Sequence, residues 1–332
     1  MPLNPTPSEQ RAATQAPRSH NFTMTSYVQE ILRSWSPPIG VNVTLCLAAL
    51  VYLRGWSRLQ DLLPRLIPIS RLAAFFAGLI AMWIAIGSPL EAFDDVSLSV
   101  HMVQHLLLTV VAPPLILLGA PMLPLLRGLP GSIVRHVIGP FLHWTPIQKL
   151  GTFLTQPAFC WFASAIALIG WHIPAAFELA LRSNPWHEFE HACFFTTSLL
   201  FWWPVVQPFP SDVRWPRWSM PLYLFFATLP CGALGAFLAF CDRVLYPQYA
   251  GAQLLFFASA LDDQIFAGVL MWVFTTVVYL LPAIMITVQL LSPGALTRGT
   301  FESIRLAGAQ NDTGGTLKID TLASEIVRKA SV

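Results

Sequence analysis

Charged residues are scarce in this sequence. They make up 11% of its 332 residues, whereas soluble domains carry about 25%. This composition excludes an ordinary soluble domain, and the lack of a basic cluster excludes a nucleic-acid surface. Hydrophobic residues make up 55% of the chain, and the few charges lie between long apolar runs. The sequence therefore predicts an integral membrane protein whose first partner is the lipid bilayer.

Cysteine pairs are also missing. No two cysteines form a C-x-x-C pair, which argues against a disulfide framework and against a thiol redox motif. The N-terminus lacks a charged region followed by a short apolar core, so no cleaved signal peptide is predicted. The cysteines are read as small packing residues: Cys46, Cys160, Cys193, Cys231 and Cys241.

Long apolar runs are what the sequence has instead. A helix needs about 20 residues to cross the hydrocarbon core, and lipid cannot satisfy the backbone amides of an open segment. We therefore predict an all-α, polytopic bundle of about seven transmembrane helices over residues 38–292, between a disordered N-terminal tail (1–37) and a polar C-terminal tail (293–332). The runs are Ile39–Leu53, Arg71–Gly87, Val96–Leu118, Ala158–Gly170, His187–Val206, Met220–Phe240 and Gln264–Leu291.

The basic residues predict the orientation of the bundle. Lys and Arg concentrate in the loops after the first, third and fifth runs and in the C-terminal tail. The loop after the second run has Glu91, Asp94 and Asp95 and no basic residue. Because cytoplasmic loops carry the excess of Lys and Arg, the N-terminus is predicted to lie outside and the C-terminus in the cytoplasm.

Ionisable residues gather at the predicted outer ends of four runs. A charge at the bilayer centre costs about 2.5–3.5 kcal/mol, so such residues are functional candidates. His101 and His105 are four residues apart, as are His187 and His191, so each pair shares a helix face and can chelate one metal ion. Imidazole suits copper, zinc, iron and nickel. The candidate metal ligands are His101, His105, His172, His187, Glu190, His191 and Asp263.

Prolines and small residues predict two further features. Pro113–Pro114 and Pro230 lie inside apolar runs, where each proline removes a backbone hydrogen bond. A fixed kink satisfied by neighbouring groups is expected there, rather than a hinge. Small residues at a spacing of four predict a face for close helix packing: Ala227, Cys231, Gly235 and Ala239.

Four motifs occur in one order along the chain. They are H-M-V-Q-H-L-L-L from His101, W-H-I-P from Trp171, N-P-W-H-E-F-E-H from Asn184 and D-D-Q-I-F-A-G-V-L-M-W from Asp262. With these motifs, residues 38–291 resemble the CtaG family, the bacterial assembly factors of caa3-type cytochrome c oxidase. The family pattern covers the seven candidate ligands and leaves out Glu188.

The resemblance implies a function. It predicts a multi-pass protein of the bacterial cytoplasmic (inner) membrane that helps to assemble a haem–copper oxidase by binding and delivering copper. Its partners are then apo-subunits of the oxidase and other copper chaperones, and it is not an enzyme. Other copper chaperones for oxidases carry C-x-x-x-C or C-F-C pairs, which this chain lacks, so no thiol pair is available for copper transfer.

Two other functions stay open. Residues 187–191 satisfy the H-E-x-x-H pattern of zinc metalloproteases, with Glu188 as the general base. That interpretation makes zinc the metal and leaves His101, His105 and His172 without a role. Histidines at matched depth on different helices also suit a haem-binding electron carrier, although two histidines of one i, i+4 pair cannot both bind one haem iron axially.

Overall fold

The computed structural model describes residues 24–60, 67–208, 215–251 and 257–292, and every regular element in these ranges is helical. The predicted C-terminal tail and the first 23 residues lie outside the described residues. The α-helices are α1 (Met24–Ser34), α2 (Ile39–Gln60), α3 (Ile69–Ile86), α4 (Leu98–Leu106), α5 (Ala112–Leu118), α6 (Met122–Gly128), α7 (Gly131–Ile133), α8 (Gly139–His143), α9 (Thr145–Leu154), α10 (Pro157–Trp171), α11 (Pro174–Arg182), α12 (Asn184–Val206), α13 (Met220–Phe240) and α14 (Ala260–Leu291).

The structure departs from the predicted disordered N-terminal tail in one stretch. Residues 24–34 form the helix α1. Val28, Ile31 and Leu32 recur at helical spacing within it, so the segment has the apolar stripe of an amphipathic helix. Polarity averaged over the whole tail hides this short periodicity.

Within the described residues, five helical segments are long and apolar enough to cross a membrane, and a pair of helices bent by 68° could form a sixth. They are Ile39–Gln60, Ile69–Phe93, Leu98–Leu118, Arg217–Phe240, Ala260–Leu291 and the pair Thr145–Leu154 with Pro157–Trp171. The predicted run His187–Val206 is the helix α12, whose first turns carry ionisable residues that lower its mean hydropathy. The count of seven spans and the orientation of the termini therefore stay predictions.

The outer surface of the bundle is apolar. On α2, the exposed side chains include Ile39, Val43, Leu47 and Leu50, of which Ile39 is 76% exposed. A row of large apolar side chains this long is unusual on a soluble monomer. It is the surface expected of a helix that faces hydrocarbon, which supports a multi-pass membrane protein.

The predicted small-residue face is confirmed where α13 packs against α14. A Cβ atom added to Gly235 would lie 2.8 Å from the carbonyl oxygen of Gly268. A Cβ atom added to Gly268 would lie 2.6 Å from the carbonyl oxygen of Gly235. The two backbones approach so closely that only glycine fits at either position, as in the small-residue contacts typical of membrane helices. Next to them, the Cys231 thiol donates to Thr275 Oγ1 at 3.4 Å.

The proline pair after α4 causes a static irregularity, as expected. Residues Leu107–Val111 form a π-helical turn between α4 and α5. Pro113 has no N–H to donate to the carbonyl of Thr109, and Trp202 Nε1 of α12 donates to that carbonyl instead, at 3.1 Å. The freed backbone group is thus satisfied by a neighbouring helix.

A second core lies between α2, α3 and α6. Tyr52 of α2 stacks on Phe75 of α3, with 3.8 Å between ring centroids, and its hydroxyl donates to the carbonyl of Gly119 at 2.8 Å. Added Cβ atoms at Gly55 and Gly128 would collide with the facing backbone. The short helix α6 is therefore held directly against α2.

Candidate metal centre

Helix α4 presents two of the candidate histidines, and its start is held by Asp263 of α14. The Asp263 carboxylate accepts hydrogen bonds from the backbone N–H of Leu98 at 2.8 Å and of Ser99 at 3.1 Å. The hydroxyls of Ser97 and Ser99 also donate to it. A carboxylate at a helix N-terminus satisfies orphan amides and complements the helix dipole. These contacts fix the position from which His101 and His105 project.

Five histidines from three parts of the chain form one cluster, as their spacing predicted. On α4, the ring centroids of His101 and His105 lie 4.2 Å apart, and on α12 those of His187 and His191 lie 4.2 Å apart. The two pairs face each other, with 5.5 Å between His101 and His187 and 5.6 Å between His105 and His191. His172, directly after α10, lies 6.4 Å from His105.

The tautomer of His172 follows from its surroundings. Its Nδ1 lies 2.7 Å from the carbonyl oxygen of Leu168, and a carbonyl can only accept, so Nδ1 carries the proton. Nε2 then keeps its lone pair, and this atom is buried without a hydrogen-bond partner. Tyr246 donates its hydroxyl hydrogen to the carbonyl of His172 at 2.9 Å. This arrangement, in which the second ring nitrogen is anchored, is typical of histidines that bind metals.

Two carboxylates complete the cluster. Glu190 Oε1 lies 3.7 Å from His105 Nε2, and its side chain is fully buried. Asp94 Oδ2 lies 3.6 Å from His187 Nε2. Asp94 follows a 3₁₀ turn (Pro89–Phe93) after α3, and sequence reasoning assigned it only to an acidic loop. Nothing in its spacing places it beside His187, because residues from α4 to α11 separate the two along the chain.

Among the residues that the structure describes, ten buried polar atoms of the cluster have no hydrogen-bond partner, which is rare for buried polar groups. Leaving such an atom unsatisfied costs about 1–3 kcal/mol. A bound cation would remove this cost for the carboxylate oxygens and for the one ring nitrogen of each neutral imidazole that carries a lone pair. The atoms are both ring nitrogens of His101 and of His105, Nε2 of His172, His187 and His191, both carboxylate oxygens of Glu190, and Oδ2 of Asp94.

Two overlapping groups bring three donors together. One is Asp94, His101 and His187, and the other is His101, His105 and Glu190, with the donor atoms of each group within 4.8 Å of one another. Donors about 2.1 Å from a tetrahedral ion lie about 3.4 Å apart. The residues therefore fit a metal ion after a contraction of roughly 1 Å, which side-chain rotation can supply.

Electrostatics favour a cation near Asp94. Burial, with smaller contributions from Asp95 and Glu91, raises the pKa of Asp94 to about 8. The carboxylate is costly to keep ionised because it is removed from water beside other acidic groups. A metal ion would offset that cost and displace the proton.

Asp263 and Glu188, to which the sequence analysis gave roles at a metal site, lie outside both donor groups. Asp263, a predicted ligand, directs its carboxylate to the start of α4, where it accepts four hydrogen bonds. Glu188, the general base of the H-E-x-x-H interpretation, is exposed, whereas Glu190 is buried. The acidic residue of α12 that faces the histidines is therefore Glu190.

A cavity continues from the cluster into the bundle. His105 and His172 line it beside Met102, Cys231 and Met271. The rest of its wall is mostly apolar and aromatic, with Trp161, Phe194 and Phe201 among the lining residues. A small cavity thus borders the cluster beside His105 and His172, and the ring of Phe194 lies 4.6 Å from that of His105.

The fold and this site define a class: a multi-pass helical membrane protein with a buried histidine–carboxylate cluster built by α4, α12 and the segments that follow α3 and α10. A family model described as cytochrome c oxidase caa3 assembly factor matches residues 50–292. The chain belongs to this family, and its resemblance to CtaG proteins is confirmed.

Curated relatives also match part of the chain. The uncharacterized proteins Mb0105 of Mycobacterium bovis and MT0111 of Mycobacterium tuberculosis are each 29% identical over 234 residues, and ML1998 of Mycobacterium leprae is 26% identical over 234. Each match covers 69% of this chain and 34% of the relative. The chain therefore spans about a third of the length of these relatives. No solved structure matches the chain.

Proposed function

We propose that this protein takes part in the assembly of a haem–copper cytochrome c oxidase by binding copper and delivering it to the apo-enzyme. Membership of the caa3 oxidase assembly factor family supports the role in assembly. The observation that carries the copper proposal is the set of buried imidazole nitrogens and Glu190 oxygens that have no hydrogen-bond partner. The proposed ligands are the five histidines and Glu190 of the sequence prediction, whereas Asp263 holds the start of α4 in place.

The ligand types suit transfer. Imidazole and carboxylate donors bind copper in both tetragonal and lower-coordinate arrangements, and one ligand can replace another without breaking a strong thiolate bond. The cluster offers more donors than one ion needs, so an ion can exchange ligands while it stays bound. By the distribution of basic residues, the cluster opens to the extracytoplasmic side, where apo-subunits of the oxidase and other copper chaperones are the proposed partners.

Copper retention tests the proposal directly. The protein is purified in detergent, loaded with Cu(II), washed with a weak chelator and analysed for copper by mass spectrometry. We expect His105→Ala and His191→Ala to lower copper affinity about 10- to 100-fold, because each removes a donor from the cluster. His143→Ala is the matched control, because His143 is exposed in α8 and distant in sequence from the cluster.

The proposal is contradicted if the wild type and both cluster variants bind copper equally. It is also contradicted if the wild type retains no copper. Zinc that copurifies and depends on His187 and His191 alone favours the metalloprotease instead. Glu188→Gln separates these functions, because it removes the base of a protease and leaves copper binding unchanged here. A Soret band in the purified protein would favour the haem carrier.

A further inference from the structure

The two donor groups of the cluster differ in depth. In the outer group, the side chain of His187 is 18% exposed and that of Asp94 is 4% exposed. In the inner group, the side chain of Glu190 is fully buried and that of His105 is 6% exposed. His101 belongs to both groups, and it is itself fully buried. His187 is therefore the partly accessible edge of the cluster, whereas the side chains of the other four residues are buried.

We propose that Asp94, His101 and His187 form an outer copper position through which the ion passes to and from the inner position of His101, His105 and Glu190. This inference rests on the proposed function, and it adds Asp94 as a ligand that no sequence motif indicates. Because a neutral imidazole has one lone pair, His101 binds the ion in one position at a time. It is the ligand that both groups share, so an ion that moves inward exchanges Asp94 and His187 for His105 and Glu190.

Acidic residues surround the outer position, as expected for a site where cations enter. Asp94 lies beside Glu91 and Asp95 in a segment without a basic residue, and Asp95 is exposed. Acidic side chains near an opening raise the local concentration of cations and speed their association. Asp94 differs from its two acidic neighbours because its side chain is buried against His187. This position suits a metal ligand better than a surface charge.

The rates of copper loading and release show whether Asp94 is a ligand on the path of the ion or only a negative charge near that path. Cu(II) is loaded from a chromophoric chelator and released to an excess of the same chelator, and both rates are followed by stopped-flow absorption. We expect Asp94→Asn to slow loading and release alike, by about tenfold each, because the ion passes Asp94 in both directions. The copper retained at equilibrium then changes little. His187→Ala should slow both rates in the same way.

A purely electrostatic role for Asp94 predicts different rates of copper loading and release. If Asp94 acts only through its charge, Asp94→Asn slows loading but speeds release, and this outcome overturns the inference. Asp95→Asn is the matched control, since it removes a charge from an exposed neighbour and should leave release unchanged. Thermal unfolding of the metal-free variants reports whether each still folds.

The outcomes also separate this inference from the proposed function. A wild type that binds no Cu(II) refutes both. Wild-type rates in Asp94→Asn, together with copper loss in His105→Ala, refute the outer position and leave the copper site in place. Slowed loading and release in both Asp94→Asn and His187→Ala, with release unchanged in Asp95→Asn, supports the outer position.

Discussion

Two regions of the bundle differ in how their buried groups are satisfied. One is the contact between α13 and α14, and the other is the histidine cluster. At the contact, Gly235 and Gly268 bring two backbones together, and the nearby thiol of Cys231 has a hydrogen-bond acceptor in Thr275. In the cluster, buried polar atoms of seven residues have no hydrogen-bond partner among the described residues. The first region contributes stability through packing, whereas the second is stable only because its surroundings hold it in place.

Asp263 shows how the second region depends on the first. It lies on α14, one turn before Ala267 and Gly268, and its carboxylate holds the start of α4. The helix that forms the small-residue contact therefore also positions His101 and His105. A bundle in which α14 is firmly packed can keep unsatisfied histidines at fixed positions, as a preorganised ligand set requires.

The largest effect is expected from Asp263→Ala. The change removes a buried acceptor of four hydrogen bonds and leaves the amides of Leu98 and Ser99 without a partner. Hydrogen bonds to a charged group contribute about 1.5–3 kcal/mol each, so we expect the free energy of unfolding to fall by about 3 kcal/mol or more. Chemical unfolding in detergent, followed by circular dichroism, measures this loss.

Asp262→Ala is the control for that prediction, because Asp262 is exposed and its carboxylate accepts a hydrogen bond from the hydroxyl of Ser259, the residue that caps the same helix. Asp263→Asn, which keeps one acceptor oxygen, should lose less stability and still bind copper. If Asp263→Asn folds like the wild type but loses copper completely, Asp263 is a ligand, as the sequence predicted, and not a positioning residue.

A smaller effect is expected at the helix contact. Gly235→Ala places a methyl group against the Gly268 backbone, so α13 and α14 must separate, and we expect a loss of about 2 kcal/mol. Gly232→Ala is matched to it on the same helix, where the new Cβ meets only Trp272 at 3.5 Å. There the gain in helix propensity, up to about 1 kcal/mol, should make the change neutral or stabilising. Equal melting temperatures of the two variants would contradict the close contact.

Sequence patterns predicted the helices and most of the cluster, because both depend on local spacing. The run Met220–Phe240 is a helix with the predicted bounds. The i, i+4 pairs fix which face each histidine occupies, so the meeting of His101 and His105 with His187 and His191 followed once α4 and α12 packed together. The CtaG motifs added the order of these segments along the chain.

Contacts between residues far apart in the sequence could not be predicted from local spacing. Asp94 was grouped with a loop because its neighbours are acidic, and only the packing of the segment after α3 brings it beside His187. Asp263 looked like a ligand because it lies at a helix end among histidines. The structure shows its oxygens already accepting hydrogen bonds from α4, a pairing of residues 165 positions apart that no local pattern encodes.

The smallest predicted effect concerns the loop that supports His172. Tyr246 donates its hydroxyl hydrogen to the backbone carbonyl of His172 at 2.9 Å, whereas the buried hydroxyl of Tyr249 has no partner. Tyr246→Phe removes one hydrogen bond between neutral groups, so we expect about 1 kcal/mol less stability. Copper affinity should fall only a few-fold, because the backbone at His172 is held less firmly while every ligand remains.

Tyr249→Phe is the matched control for this change, because it removes a hydroxyl of the same type, in the same loop, that donates to nothing. The loss of a buried, unsatisfied hydroxyl should leave stability unchanged or raise it. Comparing the two variants by thermal unfolding and by copper titration isolates the contribution of a single support outside the cluster. If Tyr246→Phe and Tyr249→Phe behave alike in both measurements, the position of His172 is set by α10 alone and the loop contributes nothing to the copper site.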